Sequence, residues 1–162
     1  MLIRDWFPGA DKAILDANLL AVLAVGQEHS NLFGHSPVDS YNSDDYDLII
    51  EMISEFDGLI STPYIIAETS ALLTKTGYAR IGCRSSLASF ISSMEITYDA
   101  PDLLCRHNHY PAYGIADISL LHALKKDAVV ITADGPLTGL LKGAGLYALH
   151  YQELRNAINA LK

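Results

Sequence analysis

A chain of 162 residues, half of them hydrophobic and 19% charged, has the size and composition of one globular domain rather than a disordered segment. Its net charge of −8 argues, taken alone, against a duplex-binding protein, which leaves a basic footprint. Either the surface is acidic for solubility, or the acids cluster to hold cations.

In chain order, residues 13–16 read as a short buried strand and 18–26 as a helix ending at Gly26. Residues 27–43, rich in His, Ser, Asn, Gly and Pro, read as an exposed loop. The run DDYDLIIEMISEF (44–56) has acids in its first turn and an amphipathic body, which predicts a capped helix. Residues 58–61 form a second strand, and TPYIIAETSALLTK starts a helix with Thr62 as cap and Pro63 at the first position. A helix over 80–93 and a short strand over 95–97 follow. Residues 101–114 predict a helical turn and then a loop carrying Arg106, His107 and His109, with a helix over 115–126. AVVIT (128–132) is a β-branched strand, 135–145 a short helix, LYALH a last strand and 151–162 a last helix. Strands alternating with helices imply βαβ units, hence an α/β sandwich with a parallel sheet covered on both faces. No linker divides the chain, so 1–162 is expected to be a single domain.

Some partners and compartments drop out early. No apolar run reaches a membrane span, and the opening MLIRDWFPGA does not read as a signal peptide. Cys83 and Cys105 lack the spacing of a zinc site or a disulfide framework, and are expected to be thiols in a reducing cytoplasm.

Four acids stand out against this pattern. Asp16 lies inside the aliphatic run AILDANLLAVLAVG, where an unpartnered carboxylate is costly. It ends the first strand, and Asp134 lies two residues past AVVIT; ligands of open parallel sheets bind beyond these carboxyl ends. Glu68 and Asp117 sit on apolar stripes in the first part of their helices, nearest the strand tips. Singly, each has an ordinary explanation: a helix cap after a strand, or a carboxylate paired with Arg or Lys. Four converging at low exposure would repel one another without a cation, and hard ions such as Mg²⁺ or Mn²⁺ suit an all-oxygen pocket.

The segments AILDANLL, STPYIIAETSALL, YGIADISLLHAL and VVITADGPLTGLLKGAGLYAL, in this order, resemble the successive motifs of PIN domains. These are metal-dependent ribonucleases found as bacterial and archaeal toxins and in RNA processing. The resemblance runs from about Lys12 onward. It implies a three-layer sandwich with a mostly parallel sheet of about five strands. It also implies that Asp16, Glu68, Asp117 and Asp134 are the catalytic, metal-binding quartet for Mg²⁺ or Mn²⁺, with Asn18 and Thr132 as supporting groups. The expected reaction is hydrolysis of single-stranded RNA, in which an ion-activated water attacks phosphorus in line. As a toxin the chain would have an antitoxin protein as partner, and family members often form homodimers. The helices around 44–56 and 80–93 are candidate faces for that contact.

Departures from the family pattern matter too. Residues 27–57 look longer than in compact toxins and read as a loop and helix insertion. An acidic enzyme for RNA would benefit from basic groups near its pocket, and Arg80, Arg84, Arg106, Lys125 and Lys142 are available. Arg106, His107 and His109 are candidate substrate contacts, against the simpler reading of a polar loop. Tyr110 and Tyr113 could stack on unpaired bases or simply pack. A haloacid-dehalogenase-type phosphatase would want an acid two residues after Asp16, where this chain has Asn18. A PIN-like module that has lost activity and serves as a scaffold is the other alternative.

Overall fold

A computed structural model describes residues 2–124 and 127–160; Lys125 and the expected helix ends at 125–126 and 161–162 lie outside the described residues. The five strands are β1 (Lys12–Leu15), β2 (Gly58–Ser61), β3 (Glu95–Ile96), β4 (Ala128–Thr132) and β5 (Tyr147–His150). All neighbours pair in parallel, in the order β3-β2-β1-β4-β5. β4 is buried at every position, as expected of a β-branched strand covered on both faces. The fold is the expected α/β three-layer sandwich.

The helices are α1 (Ala17–Gly26), α2 (Ser43–Ser54), α3 (Pro63–Leu72), α4 (Arg80–Ile91), α5 (Pro101–Cys105), α6 (Tyr110–Ala123), α7 (Gly135–Gly143) and α8 (Tyr151–Ala160). The run that raised the question of Asp16 becomes β1 and α1. Every residue of α1 from Leu19 to Val25 is at most 1% exposed, because α2, α3 and α4 all pack against this helix. Burying so many aliphatic side chains, at ~1.5–3 kcal/mol each, makes α1 a main support of the core. Gly26 lets α2 approach: a Cβ there would meet the Tyr46 ring at 2.2 Å.

Three expectations need correction. Residues 27–43 are not simply an exposed loop, because Val38 is fully buried and a 3-10 turn forms over Ser30–Leu32. The following helix packs as its amphipathic pattern predicts: Ile49 and Met52 of α2 are fully buried, and Asp45 forms an enclosed ion pair with Arg155 of α8 at 2.9 Å. Tyr151 donates to the same Asp45 oxygen at 2.7 Å. The helix opened by Thr62 stops at Leu72, and a 3-10 stretch continues over Leu73–Ala79 with a break at Gly77. The expected loop before residue 115 is partly helical, since Tyr110–Tyr113 form a turn. Gly114 (φ 78°, ψ 178°) then separates it from the rest of α6, starting at Ile115. Among the described residues no helix is long and apolar enough to cross a membrane.

Candidate metal centre

The strand order decides where the site lies. From β1 the chain steps outward through β2 to β3, then returns to the other side of β1 as β4 and steps outward to β5. Connections therefore reverse direction between β1 and β4, and a crevice opens beyond the carboxyl ends of such a strand pair. Leu15 pairs with Ile131 at that edge, so the next residues, Asp16 and Thr132, emerge side by side.

Asp16 is 5% exposed and fully engaged with its surroundings. Its Oδ1 accepts the Leu19 N–H at 2.8 Å, capping α1. Its Oδ2 accepts the Thr132 hydroxyl and the Ala133 N–H, the latter at 3.1 Å. Three bonds use three of the roughly four lone-pair positions of a carboxylate, so one remains, on Oδ1. Burial pushes its carboxyl pKa up, these three donors push it down, and the charge of Asp134 adds to the rise. Thr132 also accepts the Asp134 N–H at 2.9 Å, so one hydroxyl ties the two acid-bearing turns together. Asp134 caps α7 through Oδ1, which accepts the Leu137 N–H at 2.8 Å, and its Oδ2 takes no bond from another described residue.

Glu68 and Asp117 reach the same edge from α3 and α6. The Thr62 and Ser119 hydroxyls, 2.7 Å apart, join the start of α3 to the part of α6 that follows Gly114, while Thr62 caps α3 by accepting the Ile65 N–H. Thr69, beside Glu68, donates to Ala17 O, the residue after Asp16, at 3.4 Å. Neither Glu68 nor Asp117 accepts a hydrogen bond from another described residue. Burial pushes the Glu68 carboxyl up, and the charge of Asp16 adds to it. Burial, then the charges of Asp134, Glu68 and Asp16, push the Asp117 carboxyl up to about 7. Asp117 thus feels the other three acids, and among the described residues none of the four is paired with a cationic side chain.

The expectation of uniformly low exposure fails. Asp16 is buried and Asp117 half-buried, but Glu68 and Asp134 are exposed, and so is Asn18. Glu68 is exposed while Ile65 and Thr69 of the same helix are buried, so it lies off the covered face of α3. The Asn18 side chain bonds to no other described residue, whereas Thr132 is central. Among the described residues no three His, Cys, Asp or Glu side chains come together tightly enough to hold a metal as they stand.

The candidate substrate contacts lie to one side. Arg106 is exposed and pairs with Asp102 at 3.5 Å. His107 and His109 line a cleft of about 510 Å³ against Gly139, Leu140 and Gly143 of α7 rather than the acids. Arg84 donates to Ser70 O at 3.1 Å, while Arg80 and Lys142 are exposed and form no ion pair with another described residue. Lys75, Arg80 and Arg84 fall in residues 69–94, which contain no Asp or Glu. Sequence reasoning missed Ser119, whose signal was a hydroxyl two residues after Asp117, and Tyr64, whose signal was an aromatic one turn before Glu68. The sequence matches no known family model and no curated protein.

Proposed function

We propose that the chain is a divalent-metal-dependent ribonuclease of the PIN type, acting on single-stranded RNA. One observation carries this reading: at the sheet's reversal point, burial and then the charges of Asp134, Glu68 and Asp16 lift the Asp117 carboxyl to about 7. Carboxylates held together without a cation are what a hard divalent ion would relieve.

The donor chemistry fits Mg²⁺ or Mn²⁺. Asp117 and Glu68 have carboxylates without hydrogen-bond donors, Asp134 has Oδ2 free, and Asp16 has one position left on Oδ1. These four would hold the ion. When bound, it supplies Lewis-acid polarisation of a phosphodiester and activation of water. The protein's own contribution is positional. Asp16 is fixed by three donors, Thr132 ties the β1 and β4 turns together, and the Thr62–Ser119 contact holds the start of α3 against α6. Asp117 retains a proton near neutrality until a cation displaces it. The stretch 69–94 carries Lys75, Arg80 and Arg84 and no acid of its own, cations available to a polyanion although Glu28 lies close to Gly82 of α4.

The biological setting we propose is cytoplasmic, as the toxin of a toxin–antitoxin pair with an antitoxin protein and a second copy as partners. A scaffold without catalysis is the second reading, favoured by the lack of a trio of acids close enough to hold an ion unaided. Incubation of labelled single-stranded RNA with the purified chain separates the two. Cleavage that needs Mg²⁺ or Mn²⁺ and is lost in Asp16→Asn and Asp117→Asn supports the nuclease; undiminished cleavage by both variants, or none by the wild type, overturns it.

A further inference from the structure

Beside the acids lies a groove of about 390 Å³ that they do not fill, lined by Tyr64, Ala67 and Glu68 of α3 and by Tyr113, Gly114 and Ile115 of α6. That volume is within the range of small-molecule sites. Both tyrosines are held in place by their far ends. Tyr64 donates its hydroxyl to Asp99 O at 2.7 Å and stacks on Tyr98, with ring centres 6.5 Å apart and planes 17° from parallel. Tyr113 donates toward Pro136 O at 3.4 Å and meets His109 edge-on, with centres 6.1 Å apart. With their hydroxyls occupied elsewhere, the two residues offer the groove mainly aromatic carbon.

Gly114 completes the groove. Its φ of 78° with ψ of 178° is a conformation essentially confined to glycine, and it breaks α6 directly after Tyr113. A Cβ at Gly114 would meet nothing within 4 Å, so the backbone there borders open space. No lysine or arginine lines the groove, and Glu68 does, so it is unsuited to a phosphate. A planar, uncharged, aromatic group suits it.

We propose that this groove stacks the unpaired base of the nucleotide next to the phosphodiester held at Asp16, Glu68, Asp117 and Asp134. The inference rests on the ribonuclease reading and deepens it. The acids take the backbone, and Tyr64 and Tyr113 take a base. Stacking tolerates every base, so the groove selects single strands over duplexes rather than one sequence over another.

The test is stopped-flow fluorescence anisotropy of a labelled oligoadenylate of about ten nucleotides, mixed with protein in Mg²⁺ and read before cleavage. Tyr64→Ala and Tyr113→Ala are expected to weaken binding by about 5- to 100-fold each, with Tyr→Phe at either position retaining it. An oligomer of the same length without bases should bind wild type and Ala variants alike. A second measurement, photocrosslinking of a 4-thiouridine oligomer to the wild-type protein, should label Tyr64 or Tyr113 and stands even if an Ala variant fails to fold. Folded Ala variants that bind like wild type, or crosslinks confined to other segments, overturn the subsite. Metal-dependent cleavage without any dependence on the tyrosines overturns the subsite alone. Tyrosine-dependent binding without cleavage supports the subsite and overturns the nuclease reading.

Discussion

The hydroxyl of Thr132 donates to Asp16 Oδ2, joining the ends of β4 and β1 across 116 positions of sequence. The Thr132 hydroxyl oxygen also accepts the Asp134 N–H, so a single buried side chain ties down two of the four acid-bearing turns. Replacing it with valine keeps the volume but removes both bonds. Thr132→Val is expected to lower stability by about 1–3 kcal/mol in urea denaturation, because a buried carboxylate oxygen and an N–H lose a partner. As a support for metal-holding side chains it should also weaken Mg²⁺ affinity or cleavage by roughly 10- to 100-fold. Valine at wild-type affinity would remove Thr132 from the site.

Asp117 predicts how stability follows pH without divalent ions. Its carboxyl titrates at about 7 in the folded chain, against about 3.9 when unfolded. Below pH ~4 both states carry the proton, and between these values only the folded state does. Stability therefore falls as pH rises from about 4 to about 7 and levels off above that. The size is on the order of 1–2 kcal/mol, since the side chain is half-exposed and screened by solvent. Asp117→Asn should flatten the slope and, at pH 8 in EDTA, melt above the wild type. An unchanged slope in thermal melts of the variant would contradict the assigned cause.

Asp45 tests whether residues 27–57 are integral to the fold. Its side chain is 2% exposed and is held by Arg155 and Tyr151 and by the Asn42 N–H at 2.8 Å. Arg155→Met leaves this carboxylate without its counter-ion, and breaking a buried pair on one side costs about 3–5 kcal/mol. The variant's melting temperature should fall sharply, while cleavage per folded molecule stays at the wild-type value below the transition.

Gly114 predicts a local effect. Gly114→Ala has space for the added methyl but not the backbone freedom, so it is expected to cost on the order of 1–3 kcal/mol. Relief of that strain would move Tyr113, so amide and ring shifts in NMR spectra should concentrate on residues 109–116. Shifts spread evenly over the molecule would argue against a local effect of Gly114.

The fold was legible because its signals are local and periodic. AVVIT, with four β-branched residues of five before an Ala-Asp-Gly turn, reads as a covered strand, and β4 matches it at both ends. The capping positions of Thr62, Asp16 and Asp134 were equally readable, since a side-chain oxygen three residues before an N–H depends on local chain alone. What the sequence did not carry was exposure. Glu68 has apolar neighbours at helical spacing, yet its side chain falls on the solvent side of α3 while Ile65 and Thr69 take the covered side. The role of the 27–57 segment was hidden for the opposite reason, because Asp45 meets its partners Tyr151 and Arg155 more than a hundred residues later. The helical turn at Tyr110–Tyr113 depends on Gly114 adopting a conformation that glycine permits without announcing.

The central claim is that Asp16, Glu68, Asp117 and Asp134 form one divalent-cation pocket, and calorimetric titration with Mg²⁺ tests it most directly. Run at pH 6 and pH 8 in buffers of different ionisation enthalpy, it reports both binding and the protons released. The account predicts saturable binding that is lost in Asp117→Asn, with most of a proton released at pH 6, where Asp117 is largely protonated, and little at pH 8. Wild-type protein with no saturable binding, or binding undiminished in Asp117→Asn, would contradict it.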